Sequence, residues 1–173
     1  MTISSPTPFQ LFKTIAILPF NVLITIPFLI FYFGKGNQSS FLASQPNLVI
    51  IPIGILALIT GLTLMYQTIS LFSKKGKGTL APWTPTQKLV VEGPYRYVRN
   101  PMISGVLCIL IAESLLLSSV YIFCWALFFF TINYIYFILK EEPDLEKRFG
   151  ADYKEYKENV PRWIPRSKPW KKN

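Results

Sequence analysis

The chain has 173 residues, of which 51% are apolar, and a net charge of +9. It contains no histidine, which removes the commonest general base and the commonest metal ligand, so no metal site is expected. The positive charge flanks long apolar runs rather than covering one face, which argues against a nucleic-acid binder and for cytosolic loops of a membrane protein.

In chain order, residues 11–33 form the first expected span. Lys13 stands near its start and Pro19, Asn21 and Pro27 lie inside it. Prolines are tolerated in membrane helices where neighbours satisfy the freed carbonyls. A polar loop follows whose only charge is Lys35. Residues 48–72 form the second span. Gly54, Ala57 and Gly61 share one of its faces, and small residues there let another helix come close.

Residues 74–99 are a loop with six Lys/Arg. Gly76 and Gly78 lack the spacing of a nucleotide-phosphate loop. Residues 88–91 read as a short extended apolar patch leading into Gly93. Residues 102–140 hold 39 residues with Glu113 as the only charge before Lys140. Ser118 and Ser119 divide them into spans at 102–117 and 120–140, each roughly 25–30 Å long at 1.5 Å per residue. Cys108 and Cys124 fall inside these spans as packing residues.

Pro143 disfavours helix at Glu142 and suits the first turn of a new helix. Leu145, Phe149, Tyr153, Tyr156 and Val160 recur at three- to four-residue steps. They predict an amphipathic helix on the membrane or on the loop. The fold class expected is all-α: a polytopic bundle of four transmembrane helices with a C-terminal cytosolic amphipathic helix, one domain over residues 1–173. Ten Lys/Arg follow residue 139. The basic loops therefore place both termini and the 93–105 stretch in the cytosol.

That stretch, Gly-Pro-Tyr-Arg-Tyr-Val-Arg-Asn-Pro-Met-Ile-Ser-Gly, enters the hairpin that Glu141 and Glu142 leave. Both ends of a hairpin lie at one face of the bilayer, so Tyr95, Arg99, Asn100 and Glu141 can line one pocket. An arginine fork suits a carboxylate, and a glutamate suits an ammonium or ribose hydroxyls. Val90, Pro101 and Met102 can wall an adenine. These groups fit S-adenosylmethionine; a phospholipid head group also carries both signs of charge. Methyl transfer needs alignment more than a strong base, so the lack of histidine does not count against it. Glu113 is either a functional carboxyl or structural glue paired with Asn21 or Gln67.

Gly93-Pro-Tyr-Arg-Tyr-Val-Arg-Asn-Pro, Glu141-Glu142 and Phe149-Gly150-x-x-Tyr153-x-x-Tyr156-x-x-x-Val160-Pro161 resemble the isoprenylcysteine carboxyl methyltransferases. More broadly they resemble the membrane methyltransferases that include phospholipid N-methyltransferases. The resemblance implies cofactor contacts within residues 87–165, at Gln87, Lys88, Leu89, Val90, Tyr95, Asn100, Pro101, Met102, Ile103 and Glu141. Arg99 and Glu142 are the expected catalytic residues. The family commonly has histidine and tyrosine where this chain has Asn100 and Ile103. Prenylcysteine-specific enzymes have a substrate-associated arginine where this chain has Phe137. The expectation is an integral membrane methyltransferase, active site toward the cytosol, using S-adenosylmethionine on a lipophilic acceptor from the bilayer. A phospholipid N-methyltransferase, with Glu113 or Glu142 holding the amine, and a non-catalytic binder of anionic lipid are the alternatives.

Overall fold

The computed structural model describes residues 19–34, 47–75 and 89–171, and every regular element among them is helical. Helix α1 is Asn21–Phe33, α2 is Asn47–Lys75, α3 is Pro101–Leu116, α4 is Val120–Phe149 and α5 is Ala151–Asn159. A 3-10 turn, Gly93–Arg96, precedes α3. Leu48–Leu71 within α2 and the whole of α4 are long and apolar enough to cross a membrane; α1 and α3 are shorter apolar helices.

Helices α2 and α3 make the most extensive contact in the fold. The small residues of α2 explain it. A methyl carbon placed on Gly61 would sit 2.7 Å from the Gly105 carbonyl oxygen and 2.6 Å from Ile109. Gly54 meets Leu116 one end further along, so the two helices run antiparallel. On the other side of α3, Val106 and Leu110 bury against Ala126 of α4, with Val22 and Leu23 of α1 packed beside them. Ser119 opens α4 by accepting a hydrogen bond from the Ile122 amide.

Two differences from the sequence reading concern breaks. The helix does not end before Pro143. It runs on through a π-helical turn, Phe137–Glu141, and Glu142 is helical at φ −64°, ψ −44°. A proline removes one N–H and its ring crowds the carbonyl four residues back, here Leu139, which lies inside the widened turn. Helix α1 repeats the device. The π-helical turn Asn21–Thr25 contains Leu23, four residues before Pro27.

The second break separates α4 from α5. Gly150, at φ 55° and ψ −127°, divides the expected single amphipathic helix in two. That conformation is open essentially to glycine alone. The apolar residues still converge: Tyr153, Tyr156 and Val160 form a cluster with Trp170, against which Leu89, Val91, Leu145 and Phe149 pack.

Candidate functional site

The 93–100 segment is held by backbone bonds to the C-terminal tail. The Arg99 amide donates to the Pro161 carbonyl at 2.9 Å, that of Arg166 to Tyr97 at 3.0 Å, and that of Trp170 to Arg96 at 2.9 Å. Arg96 Nε also donates to the Trp170 carbonyl at 2.6 Å. The Tyr156 hydroxyl donates to the Tyr95 carbonyl at 2.8 Å. The tail thus lies across the loop, with Trp170 buried beside Tyr153 and Tyr156.

Glu142 is the ionic centre. Its Oε1 accepts from Arg99 Nη1 at 3.0 Å and from Arg162 Nε at 2.7 Å, and Oε2 lies 3.3 Å from Lys157 Nζ. Lys157 also pairs with Glu146 at 2.7 Å. The Arg99 and Glu142 side chains are only 9% and 7% exposed, so neither charge is left to water. Such a pair holds only where the remaining polar atoms find partners. Arg99 Nε is buried without an acceptor among the described residues.

Three phenols surround this centre. Burial above all, then the neighbouring Tyr156 and Glu141, holds Tyr95 well above the usual tyrosine range. Burial and then Glu142 push Tyr153 up to about 12, although the adjacent Arg99 opposes the shift. Tyr156 is raised as well, chiefly by burial. All three are therefore protonated hydrogen-bond donors at neutral pH, not bases.

Of the four residues expected to line one pocket, Arg99 is paired with Glu142 and Tyr95 has Glu141 among its charged neighbours. Asn100 begins α3, its carbonyl accepting from both the amide and the hydroxyl of Ser104. Pro101 is buried at the first helical position, and Met102 and Ile103 are half-buried in the same turn. Leu89 and Val90 are half-buried at the approach to the loop. Gln87 and Lys88 lie outside the described residues. Glu113 stands apart. It is three turns along α3 from Pro101, about 18 Å by helical rise, and its Oε2 is buried with no partner among the described residues. Phe137 is buried 5.7 Å from the Trp163 ring, which also lies tilted 5.0 Å from the Phe130 ring.

Sequence reasoning missed Arg162, Lys157 and Trp163. Tyr153 and Tyr156 carried part of the family pattern but no role. The signal for Arg162 was available only as a cation after a proline in a basic tail, which looks the same as an exposed charge. An apolar cleft lined by Ile30, Phe33, Tyr121, Trp125 and Phe128 opens at the start of α4, the end remote from Glu142.

Residues 49–152, more than half of the chain, match the phospholipid methyltransferase family. The chain belongs to that family. Membership gives it methyltransferase activity in general and puts its chemistry at membrane lipid. The match takes in α2, α3 and α4, hence Arg99, Glu141 and Glu142. Tyr153, Tyr156, Lys157, Arg162 and Trp163, which complete the cluster here, lie beyond it. No curated protein matches the chain.

Proposed function

We propose that this phospholipid methyltransferase family member transfers a methyl group from S-adenosylmethionine to a lipophilic acceptor that arrives from the bilayer. The observation that carries the reading is the pairing of Arg99, from the 93–105 stretch, with Glu142, next to Tyr95, which has Glu141 among its charged neighbours. The donor set fits the cofactor: Arg99 keeps one buried N–H without an acceptor among the described residues, Glu141 supplies a second carboxyl next to Glu142, and the half-buried Met102 and Ile103 follow Arg99 at the start of α3. When bound, the cofactor supplies the methyl group on its sulfonium.

The chain's own residues bind and align. Arg99 takes the cofactor carboxylate through Nε, and Glu141 takes the ammonium or ribose hydroxyls. Val90, Pro101, Met102 and Ile103 wall the adenine, with Gln87, Lys88, Leu89, Tyr95 and Asn100 completing the contacts. Glu142 is a positioning residue: its carboxylate is occupied by Arg99, Arg162 and Lys157, which fixes the guanidinium. No group here needs to act as a strong base, since in-line displacement depends on alignment.

We place four spans in the bilayer, α1 to α4 in alternating directions, with the site at the cytosolic face. The charge distribution supports that orientation. Methylation of a phospholipid amine is the second reading, favoured by Phe137, which offers no cation to a substrate carboxylate. The deciding experiment incubates purified protein with methyl-labelled S-adenosylmethionine, total membrane lipids and prenylated thiols, and identifies products by mass. Label in a lipid product is expected. Transfer to none of these acceptors, with the protein folded, would refute the proposal. Saturable binding of S-adenosylhomocysteine that survives salt separates an enzyme from a lipid anchor, whose binding is lost with salt.

A further inference from the structure

The loop that carries Arg99 has little regular structure of its own. Residues 89–92 form no regular element, and the Gly93–Arg96 segment is one 3-10 turn. So short a turn is weakly bonded within itself, and its place depends on what it packs against. The amides of Tyr97 and Val98 both donate to the Pro94 carbonyl, at 3.0 and 3.2 Å, which carries the turn on to the residue before Arg99. A displacement of Arg96 is therefore passed on to Arg99.

The tail supports this piece from outside. Its buried residues are Val160 and Trp170, and between them it bonds to Arg99 through Pro161 and to Tyr97 through Arg166. Ser167, Lys168 and Pro169 before Trp170, and Lys171 after it, are exposed. At that far end one aromatic pair grips two consecutive loop residues. The Tyr156 and Trp170 rings lie 5.8 Å apart. The Tyr156 hydroxyl donates to the Tyr95 carbonyl. Trp170 takes Arg96 twice, its amide donating to the Arg96 carbonyl at 2.9 Å and its own carbonyl accepting from Arg96 Nε at 2.6 Å. Ordering an exposed segment costs conformational entropy, and burial of this indole is what offsets it.

We propose that Trp170 is a positioning residue for cofactor binding: seated on Tyr156 and bonded to Arg96, it latches the 93–99 loop and so sets where Arg99 and Asn100 meet S-adenosylmethionine. This rests on the methyltransferase reading above and adds the residue that makes the tail part of the cofactor site.

Trp170→Ala removes the anchor, Trp170→Phe keeps an aromatic ring on Tyr156, and Lys168→Ala changes an exposed neighbour only. Two measurements on the full chain in detergent are needed. The first uses no ligand: limited trypsin digestion, read by mass at Arg96 and Arg99. Trp170→Ala should be cut about 10-fold faster than the parent, with the other two variants near parent, because proteolysis follows local opening. Equal cutting overturns the latch. The second is calorimetry with S-adenosylhomocysteine together with methyl-transfer kinetics. Trp170→Ala should bind about 5- to 10-fold more weakly, as for loss of one hydrogen bond, while kcat at saturating cofactor and the half-saturating lipid fraction stay within twofold. Trp170→Phe should recover parent affinity. Faster cutting with unaltered affinity overturns the positioning role, since the latch is then structural only. If Trp170→Ala does not fold, Arg96→Lys, which removes the Nε donor, should weaken cofactor binding in the same direction, and parent affinity there overturns the proposal. A protected parent that binds no S-adenosylhomocysteine refutes the proposed function and the cofactor role of Trp170 with it, whereas faster cutting of Trp170→Ala still establishes the latch.

Discussion

Glu141 and Glu142 are neighbours in sequence with different surroundings. Glu142 is enclosed by three cations, while Glu141 faces the phenols of Tyr95 and Tyr153. Replacing each by glutamine should therefore fail in different ways. Glu141→Gln should bind S-adenosylhomocysteine roughly 10- to 100-fold more weakly by calorimetry, the loss of one charge-assisted hydrogen bond, and unfold at the parent temperature. Glu142→Gln leaves the buried Arg99 charge uncompensated, which costs about 3 kcal/mol and should appear first as a lowered unfolding temperature in detergent. If Glu141→Gln retains parent affinity, its assignment to the cofactor is wrong. Phe137 makes the third residue-level forecast. Buried against Trp163, it gives a free carboxylate no cation, so prenylcysteine analogues should turn over far more slowly than lipid acceptors lacking a carboxylate. Equal rates in a competition assay would count against this.

The contact between α2 and α3 depends on two glycines meeting. Gly61 and Gly105 bring each backbone close to the other helix, and the obstacle to a side chain at Gly61 includes the Gly105 carbonyl oxygen, which cannot swing aside. Gly61→Val should therefore push the helices apart and cost about 1–3 kcal/mol, read as a lower unfolding temperature. Because α3 carries Pro101 and Met102 at its start, cofactor affinity should fall as well. The small-residue face was legible in the sequence because helical spacing alone puts Gly54, Ala57 and Gly61 together. Pro143 misled for an equally local reason. Its preceding residue is disfavoured in a helix, but a π-helical turn absorbs the clash; at the start of that turn Phe137 packs on Trp163, and just after it Glu142 pairs with its cations.

At the scale of the whole molecule, the orientation proposed above rests on charge: sixteen of the eighteen Lys/Arg follow residue 73, and only Lys13 and Lys35 precede it. Single cysteines at Lys35 and Lys77, both outside the described residues, provide the test. An impermeant thiol reagent applied to intact cells should label position 35 and spare position 77. The reverse pattern would invert the orientation. Cys108 and Cys124 are free thiols and should be replaced beforehand.

Hydropathy, helical spacing and charge asymmetry are local sums along the chain, so the sequence by itself determined the all-helical class, the small-residue seam and the residues that carry the family likeness. The same holds for the juxtaposition of the 93–105 stretch with Glu141 and Glu142, since a hairpin must return its ends to one side. What only the tertiary structure decided is how the charges pair. Arg99 offered to a ligand and Arg99 bound to Glu142 have the same sequence, and the difference arises from Arg162 and Lys157, brought in by a turn at Gly150 and by a tail hydrogen-bonded across residues 96–99. Trp163 is the clearest case. Its ring position depends on residues more than twenty-five positions away on α4, and no periodicity encodes a contact of that range.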